Sequence, residues 1–583
     1  MPVPTLITDL STTAATNSPA GTDAISNTMD DYIRSLSAFI AQNYANKASL
    51  SQLAASSGSS LVGFLQSGTG AVARTEQDKL RDVVSVKDFG AVGDGVTNDT
   101  SAIQSAINAA ANVYIPPGTY LTTAISIPSN TRVLGAGPQT ILQPHSSIVG
   151  TAFWSAAGSA TDVEFGNVAI NVNTTTYATM LSFSANTVTR LNVHDVKISA
   201  GGGWGVWLAN CVDSIIQRVQ VLAAKSYGIQ STGGGSNSVR ILDCVVTGLP
   251  AAGVHGIQCD SGYGHAIKNC KVYSLLSASG FGINFNMVND GTIEGNTTYD
   301  TVFEGINITD ATSCVVKNNR VYWTGAASTD FGISINASTQ GCNFNVIEGN
   351  TVNRSYKAGI ALAGTVSFGA GYNVVANNTM FSPGIGGVSA DSGNSSAGVV
   401  LYGTGTTGNQ VIGNTVYGDG SNTKYGVIET TALGGVPNTN VFGNNYIQNV
   451  LTASISKSGA ASREYLNGFT AKTWTPTVTT GSGSITTLGT VTASYIELGP
   501  LVMFFVNIPI TTNGTGATDL RFTLPFTTGA LGEATGRESG VSGSQLIASY
   551  ANGVTTAIVR TYNNTYPGAN GAVIEISGTF LRA

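Results

Sequence analysis

The chain has 583 residues, of which 10% are charged and 42% hydrophobic, with 72 glycines and a formal net charge of −6. That length exceeds one compact domain, the charge content falls well below the roughly 25% of an ordinary soluble domain, and the apolar share argues against disorder. The lack of any Lys/Arg run argues against nucleic-acid binding, no apolar run reaches the roughly 20 residues of a membrane helix, and the N-terminus lacks the basic patch and apolar core of a secretory signal.

Residues 1–20 are polar and carry three prolines, which predicts an extended arm. Over 23–44 the pattern turns helical, with Ile25, Met29, Tyr32, Leu36 and Phe39 at steps of 4, 3, 4 and 3. This is a coiled-coil seam, too short to stand alone in water. It seeks partner helices from its own oligomer or a docking surface, or packs as an ordinary amphipathic helix on its own domain. Residues 49–70, rich in Ser, Gly and Ala, read as a flexible joint. TEQDKLRDVV over 75–84 is a short charged helix. The strand VSVKDF over 84–89 stops at Gly90, and Asn98, Asp99 or Thr100 caps a helix carrying Ala102, Ile103, Ala106 and Ile107. VYIPPGTYLT then gives a strand, a Pro-Pro-Gly turn and a strand.

From about residue 163 to 450 the chain repeats. Phrases such as IKNCKVY, IEGNTTY, VKNNRVY, IEGNTVN, VANNTMF and VIGNTVY recur at steps of 23 to 36 residues. A second column of Gly followed by Ile or Val alternates with them, at Gly205, Gly228, Gly256, Gly282, Gly305, Gly332, Gly359, Gly398 and Gly426. Two strand signals per repeat with Asn/Gly corners describe a parallel β-solenoid, whose coils must stack to bury their inward faces. Ile229, Ile257, Ile283, Ile306, Ile333, Ile360, Val399 and Val427 form one inward column. Val221, Val246, Val272, Val321, Val352, Met380, Val416 and Ile447 form another. Corner asparagines tolerate the left-handed backbone. Both columns lengthen together near residues 382–397, which read as one inserted loop. The six cysteines, with Cys244 and Cys270 equivalent in successive repeats, read as buried thiols in a reduced protein. Residues 453–472 are a polar linker. From Trp474 on, LVMFFVNI, LRFTLPF, TTAIVRTY and AVIEISGTFL are strands separated by Gly/Asn turns, predicting a separate antiparallel β-sandwich.

DFGAVGDG, NDTSAIQSAI and YIPPGTY resemble the opening of the pectate-lyase-like right-handed β-helix superfamily. The preceding GFLQSGTGAVARTEQDKLRDVVSVKDFGA resembles the junction between virion-attachment region and β-helix in bacteriophage tailspike and tail-fibre proteins. WTPTVTTG, followed by ASYIELGPLVMFFVNI, resembles the jelly-roll-like C-terminal domains of phage tail proteins. The resemblance implies an all-β molecule: an N-terminal helical virion-attachment region over 1–82, a right-handed parallel β-helix over 83–452 with a capping helix near 100–111, a linker over 453–472, and a sandwich over 473–583 for trimerisation or glycan contact.

Small catalytic motifs are absent: no phosphate loop ending in GK[ST], no HExxH, no metal-spaced Cys/His set. GDGVTND lacks the spacing and terminal Glu of a calcium loop, so no metal and no cofactor is expected. The residues after the Gly-Ile pair, Gln230, Gln258, Asn284, Asn307 and Ser334, form an outward amide strip that binds sugar hydroxyls or is solvated filler. Tyr273, Tyr299, Tyr322, Phe381 and Tyr417 form an outward aromatic column, which stacks on itself, serves as sugar platforms or faces a neighbouring subunit. Glu294 and Glu348, with Lys268 and Lys317, read as a structural ion ladder. Asp300, Glu304 and Asp330 gather at the corner that holds Tyr322 and Trp323. Glycoside cleavage needs two carboxyl groups in this setting, one coil apart for a retaining and two for an inverting mechanism. Asp260 and Asp310 are second choices for that role, and each of these acids is otherwise a corner cap or surface charge. His255, equivalent to Glu304 two coils earlier, and His265 raise β-elimination instead. The NTD, GHG and RIK set of plant-pathogen polygalacturonases is missing.

The resemblance thus implies a homotrimeric phage tailspike that docks on tail, portal or adaptor proteins, without nucleic acid or membrane insertion. It would be made in the host cytoplasm, carried on the virion tail, and act on a bacterial capsule, exopolysaccharide or O-antigen. Catalysis is expected from Glu304, Asp330 and Asp300. Substrate contacts are expected from Tyr299, Tyr322, Trp323, Asn307, Asn284, Asp310, Asp260 and His255. Hydrolysis is favoured over elimination, and a non-cleaving receptor-binding adhesin on the same fold is the alternative.

Overall fold

The computed structural model describes residues 29, 33–38, 40, 50–147, 152–172, 179–183, 187–199, 203–249, 255–275, 280–324, 331–386, 396–430, 435–465, 471–498 and 500–583. Of the heptad seam, Ile25, Tyr32 and Phe39 lie outside them, while Met29 and Leu36 are exposed.

The apolar periodicity resolves into a parallel β-solenoid with three strand columns. One face is a sheet of 13 parallel strands, stacked in chain order from Ile125–Ile127 to Ala453–Ser456. In it Ile229, Ile257, Ile283, Ile306, Ile333, Ile360, Val399 and Val427 fall in strict register. A second column aligns Ile216, Ile241, Ile267, Ile293, Val316, Ile347, Val375, Val411 and Phe442. The third aligns Val221, Val246, Val272, Thr298, Val321, Val352, Met380, Val416 and Ile447. Nearly all are fully buried in one continuous core, and each such side chain contributes about 1.5–3 kcal/mol on burial. The glycine before the first column is a packing requirement. A Cβ on Gly256 would stand 2.3 Å from Val272 Cγ1 and 2.5 Å from the Gly282 carbonyl oxygen, so the third column rests directly on the glycine stripe.

The corners refine the expectation for asparagine. In each GN or NN pair the first residue takes the left-handed backbone, as at Gly295 (φ 68°), Asn318 (57°), Gly349 (65°) and Asn377 (55°). The second turns inward and forms a ladder. Nδ2 donates to the next Oδ1 along Asn296, Asn319, Asn350, Asn378, Asn414 and Asn445 at 2.9–3.1 Å. Each Oδ1 from Asn319 on also accepts a main-chain N–H from the preceding coil. A second ladder, not read from the sequence, runs Asn345, Asn373, Asn409, Asn440 at 3.0–3.1 Å. Cys270 lies one coil below Asn296 and donates its main-chain N–H to it. All six thiols are free and buried.

The N-terminal end is closed by the helix Thr100–Ala109, whose Ile103, Ala106 and Ile107 enter the solenoid core. Of its candidate caps, Asn98 receives the Thr100 N–H, whereas Asp99 turns back to the amides of Val92 and Gly93. The expected strand over 84–89 is shorter, Val84–Ser85, because Ser85 and Asp88 form a capping box that starts a 3-10 turn Val86–Phe89 ending at Gly90. Part of the expected linker is also strand: Ala453–Ser456 and Arg463–Tyr465 add to the stack in parallel. From Lys472 onward the strands form an antiparallel ten-stranded sheet around its own core, including Val502, Phe504, Val506, Leu520, Phe522, Ala548, Val559, Ile574 and Ile576. Its main path runs through nine strands in one continuous order, and Thr487–Leu488 joins beside Leu501–Thr512.

Candidate functional site

The residue preceding each column glycine shares one edge of the 13-stranded sheet. Main-chain bonds fix the register: the N–H of Gly228 meets the carbonyl of His255, that of Gly256 meets Phe281, and that of Gly282 meets Glu304. His255 therefore does stand two coils before Glu304. The edge is an aromatic spine. Trp204 and Tyr227 stack at 6.0 Å, Tyr227 and His255 meet edge-on at 5.2 Å, and His255 stacks on Phe281 at 4.7 Å. Phe331 takes the place one coil beyond Glu304, and its ring lies 6.1 Å from that of Tyr402. Among the described residues of this edge from Trp204 to Phe331, Glu304 is the one carboxylate set among the rings, and its Oε2 is wholly buried. Burial, and then the charge of Glu304, push the Tyr402 phenol up.

Beside this edge runs the amide strip. Gln230, Gln258, Asn284, Asn307 and Ser334 align in register, but all are buried. Asn307 donates to Asn284 at 2.7 Å and to Thr309 at 2.8 Å, and receives the Ser334 hydroxyl at 2.5 Å. Trp204 donates its indole N–H to Gln230 at 2.7 Å. The expectation of an open hydroxyl-binding strip is thus corrected: Asn284 and Asn307 hold each other, because stacked amides one coil apart satisfy their own polar atoms. Gln258 interrupts the pattern, since its Oε1 is buried with no hydrogen-bond partner among the described residues. Asp260, two residues on, receives Asn286 at 2.6 Å and Thr232 at 3.4 Å.

Two expected residues are committed to the scaffold. Asp310 is buried and accepts the amides of Ser338, Thr339 and Gln340 together with the Thr339 hydroxyl. Burial pushes its carboxyl up, but the Thr339 hydroxyl and these amides outweigh that, and the net shift is downward. It caps a turn and has little left for a sugar. His255 accepts the Phe281 N–H at Nδ1, 3.0 Å away, and burial lowers its pKa to about 4, so it is a neutral member of the spine. His265 is 1% exposed, receives the Val239 N–H at Nδ1 and contacts the Ser261 carbonyl through Nε2, which places its proton on Nε2. Neither histidine is free to act as a base.

The aromatic column lies on the third strand face. Tyr273, Tyr299, Tyr322, Asn353, Phe381 and Tyr417 align, with Asn353 as the interruption. Tyr273 and Tyr299 are parallel at 4.8 Å, and Phe381 and Tyr417 at 5.3 Å. Tyr299 stays 40% exposed, so a flat ring surface faces solvent. Asp300 is exposed on this face in the left-handed conformation (φ 56°), a backbone that Asp tolerates. It is separated from Glu304 by the turn that links the third strand face to the 13-stranded sheet. Asp330 and the side chain of Trp323 lie outside the described residues. Glu294 bridges Lys268 at 2.9 Å and Lys317 at 3.1 Å, as the ion ladder predicts. No group of three or more metal-ligating side chains occurs among the described residues.

Sequence comparison agrees with this architecture. Residues 83–328 match the family model described as rhamnogalacturonase A/epimerase, pectate lyase-like. The preneck appendage protein of Bacillus phage PZA is 26% identical over 190 residues, 32% of this chain and 21% of that protein. The tail spike protein of Shigella phage Sf6 is 32% identical over 105 residues, 16% of this chain and 17% of that protein. The chain therefore spans about a fifth of the length of these curated relatives. In fold it resembles the Dettilon tailspike protein, with a TM-score of 0.50 at 17% identity, covering 88% of this chain and 96% of that one. The solenoid and the match over residues 83–328 are similar to pectate-lyase-like β-helix proteins. Taken with the phage relatives, they support a phage tailspike, a component of the virion tail.

Proposed function

We propose that this tailspike binds and cleaves a bacterial surface polysaccharide, with Glu304 as the general acid. The observation that carries the reading is a carboxylate standing in an aromatic spine, beside a buried amide strip, with one oxygen removed from solvent. Cleavage of a glycosidic bond requires a carboxyl group that donates a proton to the departing oxygen and a second that serves as nucleophile or base. Asp330 is the residue before Phe331 in the sequence. Asp260 stands two coils before Glu304 but in the Asn286–Thr309 column, about 16 Å along the strand from the Glu304 column, so it does not serve as the second carboxyl group. The exposed Tyr273–Tyr299 stack gives the glycan a flat apolar surface, and Asp300 adds a polar group beside it. His255 and His265, whose Nδ1 lone pairs each accept a main-chain N–H, favour hydrolysis over elimination.

The N-terminal region docks on the virion and the chain acts as a homotrimer; weak sites on one rigid body then gain avidity. The relatives, an appendage protein and a tail spike protein, support this placement. Purified protein incubated with capsule or lipopolysaccharide of the host tests the reading. Glu304→Gln should slow release of shortened oligosaccharide about 10²-fold or more, leaving binding and melting temperature unchanged. No shortened product from the wild type after prolonged incubation leaves the adhesin reading. Products one water lighter by mass spectrometry replace hydrolysis with elimination.

A further inference from the structure

Basic side chains are segregated on the solenoid. Between Gly228 and Gly332 the sequence has five lysines and arginines: Arg240, Lys268, Lys271, Lys317 and Arg320. Arg240, Lys268 and Lys317 stand on the second strand face, and Lys271 and Arg320 on the third. Glu294 holds both Lys268 and Lys317. The 13-stranded sheet has no lysine or arginine on any of its described strands. Its outward face carries Asp260, and Glu304 stands at its edge. On either side of this stretch, Lys225 is exposed before Tyr227, and Lys357 lies over the Phe331 ring at 5.7 Å. The strip from Gln230 to Ser334 is thus bordered by carboxylates, and the bases are kept to the other two faces.

We propose that the polysaccharide taken by this face is neutral, built from sugars without carboxylate, sulfate or phosphate; this rests on the reading of the face as the glycan site. An anionic sugar gives up water as it seats, and a desolvated charge needs a paired cation or several donors. The strip offers neither: Asn307 spends its N–H groups on Asn284 and Thr309, and Trp204 spends its own on Gln230. Asp260 and Glu304 repel a second negative charge. A neutral sugar suits the same groups. Its hydroxyls donate to the Asp260 carboxylate, and its C–H surface lies on the half-buried rings of Trp204, Trp207 and Tyr227, which stack in one cluster. The class of substrate also fixes the reaction. Elimination needs a carboxylate beside the carbon that loses its proton. A neutral glycan lacks one and is cleaved by water: the glycosidic C–O bond breaks, one fragment takes the hydroxyl and the other the proton.

Capture of host capsule and lipopolysaccharide on the immobilised full chain tests this, with the repeating unit of the retained polysaccharide analysed for uronic acid, other acidic sugars, sulfate and phosphate. The repeat should contain none of them. Affinity should change by less than about two-fold between about 50 and 500 mM salt, since no charge is paired. Lys271→Ala and Arg320→Ala, which remove bases from the third face, should leave binding unchanged. Tyr227→Ala should weaken it about ten-fold in protein of unchanged melting temperature. An acidic repeat, a ten-fold loss of affinity with salt, weaker binding in Lys271→Ala and Arg320→Ala, or indifference to Tyr227→Ala overturns the proposal. A neutral polysaccharide retained with no oligosaccharide released ends the cleavage reading and supports this one. Release of acidic oligosaccharides does the reverse, and failure to retain any polysaccharide overturns both.

Discussion

The inward asparagine ladder and the outward amide strip are built from the same side chain at the same spacing, one coil apart, yet they behave differently. In the ladder every amide from Asn319 to Asn414 is used in full: it accepts from the coil before, and donates to a carbonyl and to the next asparagine. The outward strip starts the same way at Asn284 and Asn307 but is broken by Gln258, Ser334 and Ala361, with Glu304 at its edge. Repetition stabilises a solenoid, since each coil meets only its neighbours. Departure from repetition marks where something other than the next coil is to be recognised.

The sharpest way to break that comparison is to remove one rung of each. Asn350→Leu strips partners from the Asn319 N–H, the Asn319 amide, the Val316 carbonyl and Asn378 Oδ1, all buried. Unpaired buried groups cost about 1–3 kcal/mol each, so urea unfolding should show a loss of several kcal/mol. Asn307→Ala frees the Asn284 oxygen and the Ser334 hydroxyl at the strip, two buried groups against four at Asn350, and should cost correspondingly less. Equal losses would mean that the strip is as structural as the ladder.

A smaller effect than at Asn350 is expected at the glycine stripe that separates the two. Gly256→Ala places a methyl group against Val272 and the Gly282 carbonyl. Overpacking of this kind costs about 1–3 kcal/mol, readable as a lower melting temperature. An unchanged melt would show that the third column can retreat, and that the Gly-Ile signature is not a packing requirement.

This stripe also explains what was legible in the sequence. Inward positions answer to one neighbour, the next coil, so Ile283, Ile306 and Ile333 repeat and their superposition could be read directly. Outward positions answer to turns as well. Asp310 looks like any outward acid until the turn 338–340 is seen to fold over it. Asp300 and Glu304 are four residues apart in sequence, but a turn sends them to different faces. Tyr402, whose phenol feels the Glu304 charge, was missed because it lies three coils away; its only signal was an aromatic in a column otherwise of Thr, Asn and Ala. The strand at 453–456 was missed because its glycine signal is absent, and Ser454 stands where Gly426 would align.

Acid sensitivity separates turn-capping carboxylates from surface ones. Asp419 accepts the amides of Ser421, Asn422 and Thr423. Burial pushes its carboxyl up, but the Asn422 amide and side chain and its neighbours outweigh that and bring it down to about 2. A depressed folded-state value stabilises the fold above the unfolded value near 4, and the contribution is lost as pH falls from about 4 towards 2. The melting temperature of the wild type should therefore drop across that window. Asp419→Asn should start lower at neutral pH and fall less on acidification. Parallel curves for the two proteins would place the sensitivity elsewhere.

The smallest effect is expected where a ladder is exposed. Glu294 touches both Lys268 and Lys317, and those partners draw its carboxyl below the usual range, yet the lysines are 39% exposed. Water and salt screen such pairs, and exposed ion pairs contribute about 0–1 kcal/mol. Glu294→Gln should thus shift stability by less than about 1 kcal/mol, with the difference vanishing as salt is raised. It tests the logic from the other side: Lys268, Glu294 and Lys317 also stand one coil per rung, but these groups keep access to water. If Glu294→Gln unfolded the chain as readily as Asn350→Leu, burial would not be what separates a structural rung from a decorative one, and the same argument could not be used to single out Glu304.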